Sequence, residues 1–325
     1  MRIFYQYSNV KKLTLTKGDY INEFNFIKTL RQFADVTYGN IGKYDLYFIR
    51  GNVELFKKLP KPKIWVAAPY NKYCYRQATA IATFNKAWSE GINNGIDFSW
   101  VPEIERGRRY RTITIHQAVD DHFVPSRSFR KSQEIRKKIG KEFIIGHFGR
   151  IVRSNYPIAL LHILPELRKK YSIDFLIGSS KSQINNIAHT NFNYEEVPYA
   201  ISACDLIVLS NWGVEWEICG CRKILEAAAC GVPIICGKSR ARIEFFGKNY
   251  PLFHSGFNKD QDVYSKKPLP LNKNDADELF YLIELAMKYK DKIGKKLIPI
   301  AEKFKPKQLA KQLKPIFSKT IKTNI

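Results

Sequence analysis

The stretch that decides the fold runs from Cys204 to Cys236, CDLIVLSNWGVEWEICGCRKILEAAACGVPIIC. It reads as strand, loop, helix, turn, strand. Asp205 to Leu209 is an apolar run of strand length. Ser210 to Cys221 is a loop holding Gly213, Gly220 and the acidic residues Glu215 and Glu217. Arg222 to Cys230 has helical spacing, with Ile224, Leu225 and Ala228 on one face. Gly231 sits where a helix C-terminus favours positive φ, and Pro233 then prevents continuation. Val232 to Cys236 is the next strand. A strand that passes through a glycine-bearing loop to a helix N-terminus can bind an anion, because free N–H groups and the positive dipole end face outward together.

Outward from that stretch, helices and strands alternate. Residues 1–141 read as one α/β domain. Its strands are Arg2–Tyr7, Val36–Tyr38, Asp45–Ile49, Lys63–Ala67, Ala80–Phe84 and Thr112–His116. A helix over Tyr20–Phe33 presents Ile21, Phe24, Ile27 and Leu30 on one face. Ser128–Lys138 is a charged helix leading to a boundary at Gly140-Lys141. A second domain, 142–300, begins with the strand Phe143–Phe148. A helix follows over Pro157–Lys170, and Pro165 is expected to kink or split it. The strand Ile173–Ile177 and the helical approach Val197–Ala203 lead into the quoted stretch. Ala276–Lys290 reads as a late helix, and Lys295–Thr320 as helical in two pieces broken at Pro306. Residues 301–325 are expected to cross back to the first domain. Alternation of this kind argues for parallel sheets covered on both faces. The fold class is α/β, with two Rossmann-like halves and a cleft between them.

Composition sets the outer limits. The 325 residues suffice for two domains, and 45% hydrophobic with 26% charged residues is ordinary for a globular chain. No apolar run approaches the ~18–20 residues that span a bilayer. The N-terminus MRIFYQYSNVKK lacks the apolar core of a signal peptide. The six cysteines include no CxxC pair, so buried reduced thiols in a cytoplasmic protein are expected. Lys+Arg 54 against Asp+Glu 30 gives a formal charge of +24. Such an excess favours anionic partners, whether nucleic acid, phosphorylated substrates or the surface of an anionic membrane. A compositional bias toward Lys, with the lysines scattered along the chain, is the competing account.

Four segments together resemble a known family. They are Ile144–Arg150 (IIGHFGR), Phe175–Ser179 (FLIGS), Ile201–Ser210 (ISACDLIVLS) and Leu225–Val232 (LEAAACGV). In order and spacing they resemble the donor domain of GT-B retaining glycosyltransferases of the group 1, or family 4, type. Ile115–Pro125 (IHQAVDDHFVP) is similar to that family's segment before the domain linker. The likeness covers roughly residues 110–240 and is weak before them.

The resemblance implies a GT-B fold and transfer of a hexose-type sugar from a nucleoside diphosphate sugar, UDP- or GDP-linked, to an acceptor hydroxyl with the α-anomer kept. It implies neither cofactor nor metal. It assigns Gly149 and Arg150 to the diphosphate, where a guanidinium past a strand's carboxyl end grips phosphate bidentately. The family's lysine position holds Asn155, and Arg153 is the substitute cation. Gly178 and Ser179 form a turn beside the nucleotide, and Val197, at the next helix start, packs against the base. The backbone at Gly220, Cys221 and Arg222 cradles the distal phosphate. Glu226 accepts both ribose hydroxyls, for which a carboxylate's two oxygens are suited. Glu217, three before Gly220, is the sugar-binding acid, with Glu215 as its alternative. Strict family spacing would fall on Ile218, so the loop is one residue longer.

The first 110 residues depart from the family. The loop Ser8–Lys12 lacks its glycines, and the strand Lys63–Ala67 is not followed by its histidine. His116 and His122 read as structural. The acceptor therefore stays open: a glycan or lipid is favoured, with DNA glucosylation as an alternative. A GT-B sugar-nucleotide epimerase and a nucleotide-binding protein with a decayed site are further alternatives. Cytoplasmic placement is expected, with peripheral contact to an anionic membrane as one use of the charge.

Overall fold

The computed structural model describes residues 1–10, 13, 18–67, 71–94, 110–148, 158–178, 188–190, 192–209, 222–255 and 273–322. They divide into two compact units. One comprises Met1–Asp120 and Lys303–Ile325, and the other Asp121–Glu217 and Cys221–Glu302.

The first unit carries β1 (Arg2–Tyr7), α1 (Gly18–Leu30), β2 (Asp35–Tyr38), β3 (Leu46–Arg50), α2 (Val53–Lys58), β4 (Lys63–Val66), α3 (Lys72–Gln77), β5 (Ala80–Thr83), α4 (Lys86–Asn94) and β6 (Thr112–Thr114). All its strand pairs are parallel, in the order β2-β1-β3-β4-β5-β6. Parallel strands are buried on both faces, which is why they read as apolar runs. One face packs Ile3, Tyr5, Phe48 and Ile64 against Phe26 and Ile27 of α1 and against Leu313 and Phe317 near the C-terminus. The other packs Phe4, Tyr47 and Trp65 against Phe56 of α2, Cys74 and Tyr75 of α3, and Trp88 and Ile92 of α4. The short helices α2 and α3 start on the side chains of Asn52 and Asn71, which accept from Leu55 N and Cys74 N.

The second unit carries α5 (Arg130–Ile139), β7 (Phe143–Phe148), α6 (Ile158–Lys170), β8 (Ile173–Gly178), β9 (Ala188–Thr190), α7 (Val197–Ala203), β10 (Leu206–Val208), α8 (Arg222–Ala229), β11 (Ile234–Gly237), α9 (Arg240–Phe246), β12 (Phe253–His254) and α10 (Lys273–Glu302). Its strand order is β12-β11-β10-β7-β8-β9, with every pair parallel. Counted from its own first strand, that is the doubly wound order 3-2-1-4-5-6 read from the β9 edge, and the order reverses between β7 and β10. Cys74, Cys204, Cys230 and Cys236 are buried thiols. No helix among the described residues is long and apolar enough to cross a membrane.

Several sequence expectations change in the structure. Helix α5 belongs with the second unit, since Ser132 Oγ donates to Tyr199 O of α7 at 3.0 Å, so the division falls at Asp120 rather than 141. Helix α6 runs through Pro165 unsplit. Burial of Leu160, Ile163, Leu164 and Leu167 on neighbouring turns offsets the missing backbone donor. The late helix does not end at Lys290. It continues as the 30-residue α10 to Glu302, and Pro306 then begins α11 (Pro306–Lys322) within the first unit.

A close approach of backbones accounts for the glycine inside α10, Gly294. A Cβ there would overlap the carbonyl oxygen of Gly231, the residue with φ of 70° that turns α8 into β11. Backbone touches backbone, so no rotamer change can relieve the clash. Gly294→Ala is expected to destabilise the second unit by about 1–3 kcal/mol, in spite of alanine's better helix propensity. Urea unfolding measures it, and an unchanged or raised midpoint would refute the close contact.

Candidate functional site

Helix α8 is the element that brings predicted site residues together. Arg222 is its first residue, and Glu226, one turn later, lies on the same face. Arg222 Nε stands 2.6 Å from Glu226 Oε1, with the two side chains 14% and 4% exposed. The approach is an ion contact without the alignment of a hydrogen bond. Ile224, Leu225 and Ala227 to Ala229 anchor the remaining faces in the core.

Three features make this pair costly for a merely structural one. A cation at a helix's first residue opposes the dipole, and Glu226 stands beyond the first turn, where the dipole gives a carboxylate little. Burying two opposite charges is also weak support for stability, because the desolvation cost cancels most of the attraction. Arg222 before Glu226 is moreover the less favourable order for an i,i+4 pair.

Helix α7 joins this element through Cys230 Sγ, which lies 3.8 Å from Pro198 O. Val197, half-buried, is the first residue of α7. Gly178 closes β8, and a Cβ there would overlap the ring of Phe148, the last residue of β7. Its lack of a side chain is thus already required by packing. Glu217, Arg150, Arg153, Gly149, Asn155, Ser179, Gly220 and Cys221, together with the alternative Glu215, lie outside the described residues.

Sequence reasoning missed two charged clusters. In the first unit, buried Glu23 of α1 takes both the phenol of Tyr5 and the guanidinium of Arg50. Arg50 ends β3 and lies 5.2 Å from the ring centroids of Tyr7 and Phe84. Burial first, then the charge of Glu23, pushes the Tyr5 phenol well above its usual range. In the second unit, Asp205 is fully buried and accepts from Arg127, Arg136, Lys290 and the backbone of Ile144. His116 and His122 pack against aromatic rings, His116 edge-on to Phe304, and His122 tilted to Phe123 and edge-on to Tyr194.

No protein-family profile matches the sequence, and no curated protein sequence matches it. Solved structures do. HepE from Anabaena, in complex with UDP and glucose, is 15% identical, covers 97% of this chain and 99% of its own, and superposes with a TM-score of 0.69. Sucrose-phosphate synthase from Thermosynechococcus elongatus is 12% identical, covering 99% of this chain and 100% of its own, with a TM-score of 0.69. A glycosyltransferase from Rickettsia africae is 12% identical, covering 99% and 98%, with a TM-score of 0.67. The chain therefore has the GT-B fold of two Rossmann-like α/β units, matched over the full length of these proteins.

Proposed function

We propose that the chain is a retaining glycosyltransferase that moves a hexose-type sugar from a nucleoside diphosphate sugar, UDP- or GDP-linked, to an acceptor hydroxyl. The observation that carries the reading is the Arg222–Glu226 pair on α8, buried and set against the helix dipole. A carboxylate offers two acceptor oxygens to a vicinal diol, the chemistry of a ribose. Two neighbours of the same fold, both HepE from Anabaena, were solved with UDP and glucose and with UDP-glucose. The doubly wound order of the second unit, which reverses between β7 and β10, is the usual place for a nucleotide in such sheets.

In this reading Arg150 and Arg153, with the backbone at Gly149 and Gly220 to Arg222, stabilise the departing diphosphate. Asn155 stands where the family has a lysine. Glu217 holds the sugar's hydroxyls. Gly178, Ser179 and Val197 border the nucleotide. Charge builds on the leaving phosphate as the glycosidic bond breaks, and preorganised cations and N–H groups lower that barrier. The +24 charge suits an acceptor that is anionic or lies at an anionic surface, with glycan and lipid acceptors ahead of DNA.

A screen of UDP-, GDP- and ADP-sugars by thermal shift tests the reading. One nucleotide series is expected to raise the transition in a saturable way, as any ligand selective for the native state must. Slow hydrolysis of that donor, followed by NMR, should release the sugar with its anomeric configuration kept. Absence of a shift with every donor would overturn the donor assignment, and an inverted product would overturn the retaining one.

A further inference from the structure

Helix α10 crosses the amino edge of the second unit's sheet. Lys170 and Tyr171, just before β8, donate to Glu284 of α10. Lys290 lies over the ring of Phe143 at the start of β7 and donates to Asp205 just before β10. Gly294 meets the backbone of Gly231 on the way into β11. The side of α10 turned away from the strands therefore faces solvent. It carries Lys288, Lys292, Lys295 and Lys296, all exposed and all on one face of the helix. Arg136 of α5 meets Lys290 on the carboxylate of Asp205, and the exposed Lys137 and Lys138 stand next to Arg136. We infer that this lysine face is a docking surface for an anionic membrane, held by the charged head groups of its lipids.

The fold itself has little use for the four lysines of α10. A helix dipole attracts cations in the last turn, but these lysines lie before it, and α10 ends on Glu302. Lys288 with Lys292, and Lys292 with Lys296, are like charges four residues apart, which weakens a helix. Nearby carboxylates are engaged by other cations, Glu284 by Lys170 and Asp205 by Arg127, Arg136 and Lys290. Asp291, four residues before Lys295, is spaced to offset one of the four. The two lysines of α5 differ, because they lie in its last turn and suit its dipole. The weight therefore rests on α10.

A membrane fits this face better than nucleic acid does. All four cations are lysines, compact hydrated charges on flexible stems that suit many head groups, whereas arginine suits one phosphate held bidentately. Tyr281 and Tyr289 of the same helix are 62% and 39% exposed, and Lys288 lies over the Tyr289 ring at 5.2 Å. A phenol with an apolar body and a wet tip suits the level of lipid head groups. A DNA-reading helix must stand clear of its neighbours to enter a major groove, whereas α10 packs against α6 and α8. The face also lies at the edge opposite the strands' carboxyl ends, where such sheets take nucleotides, so a docked membrane leaves those ends of this unit clear.

Vesicle binding uses no nucleotide, so it stands or falls apart from the donor reading. Full-length protein is co-sedimented with phosphatidylcholine vesicles carrying about one third phosphatidylserine. Binding is expected, and it should be at least about tenfold weaker to pure phosphatidylcholine. The quadruple variant Lys288→Gln, Lys292→Gln, Lys295→Gln, Lys296→Gln should lose at least about 100-fold, since each lysine near an anionic surface contributes about fivefold. A matched variant separates this face from the overall charge. Lys307→Gln, Lys311→Gln, Lys314→Gln, Lys322→Gln removes the same charge from the exposed stripe of α11 in the first unit. It should stay within about threefold of the parent. The thermal transitions of both variants should match the parent's, because all eight side chains are exposed. Any of these results overturns the inference: no binding to anionic vesicles, equal binding to neutral ones, an α10 variant that binds as the parent does, an α11 variant that loses as much, or a duplex DNA that binds more tightly than the anionic vesicles.

Discussion

Asp205→Ala is expected to destabilise the second unit by about 3–5 kcal/mol, the usual consequence of removing one partner from a buried ionic cluster. The carboxylate gathers Arg127 Nη2 and Lys290 Nζ at 2.5 Å on one oxygen, and Arg136 Nη1 at 2.8 Å on the other. Ile144 N donates to the second oxygen at 2.9 Å. Four elements meet on this side chain: α5, β7, the start of β10 and α10. Arg127 and Lys290 are 42% and 25% exposed and can turn back to water, but Arg136, at 16%, is held by the carbonyls of Ala203 and Glu142. Asp205→Asn keeps an acceptor for Ile144 and should cost less, about 2 kcal/mol.

The same cluster predicts a pH dependence. Burial opposes ionisation of Asp205, yet Lys290, Arg127, Arg136 and the Ile144 amide outweigh it and hold its carboxyl below the usual range. A carboxyl with a depressed native pKa stabilises the fold above its unfolded pKa of about 3.9 and loses that contribution as pH falls through the native value. Urea midpoints should therefore fall more steeply below about pH 4 in the parent than in Asp205→Asn. Parallel curves for the two proteins would show that Asp205 is not the titrating group.

The central strands were legible because they are buried on both faces and so carry an unbroken apolar run, whereas the short edge strands β9 and β12 were not read. Arg2–Tyr7 and Phe143–Phe148 have the same bounds in sequence and structure. The helices α2 and α3 were not, since six residues are too few for a helical period to repeat. The readable sign was the asparagine at each N-cap. Helix α10 was read in two parts, one ending at Lys290 and one starting at Lys295, with Gly294 in the gap between them. What a glycine costs there is set by tertiary contact, which a local pattern does not contain. The split of the two clusters is similar. Glu226 stood out by its neighbours LEAAACG, whereas Glu23 and Arg50 lie 27 residues apart on different elements and form no motif. Asp205 was read as the first residue of a strand, and its three cations come from distant positions in the chain.

Glu226→Gln is expected to weaken nucleotide-sugar binding by roughly 100-fold, and Glu226→Ala at least as much. Each hydrogen bond from a ribose hydroxyl to a carboxylate contributes about 1.5–3 kcal/mol, and glutamine can accept from only one of the two with its single oxygen. A fall in stability could imitate that loss, since either change leaves Arg222 facing a neutral partner in a buried place. The paired substitution Arg222→Met with Glu226→Leu separates the two effects. Replacing both members of a buried ion pair with apolar side chains of similar size is commonly neutral or stabilising, so this variant should unfold at or above the parent's midpoint. If the pair exists for the nucleotide, the same variant should show no saturable response to any donor by calorimetry. If the pair exists for the fold, the variant should bind donor normally. Loss of binding in a protein of undiminished stability has one reading, because α8 itself is then intact: the carboxylate is kept, against the dipole and the cost of burial, for the diol that it receives.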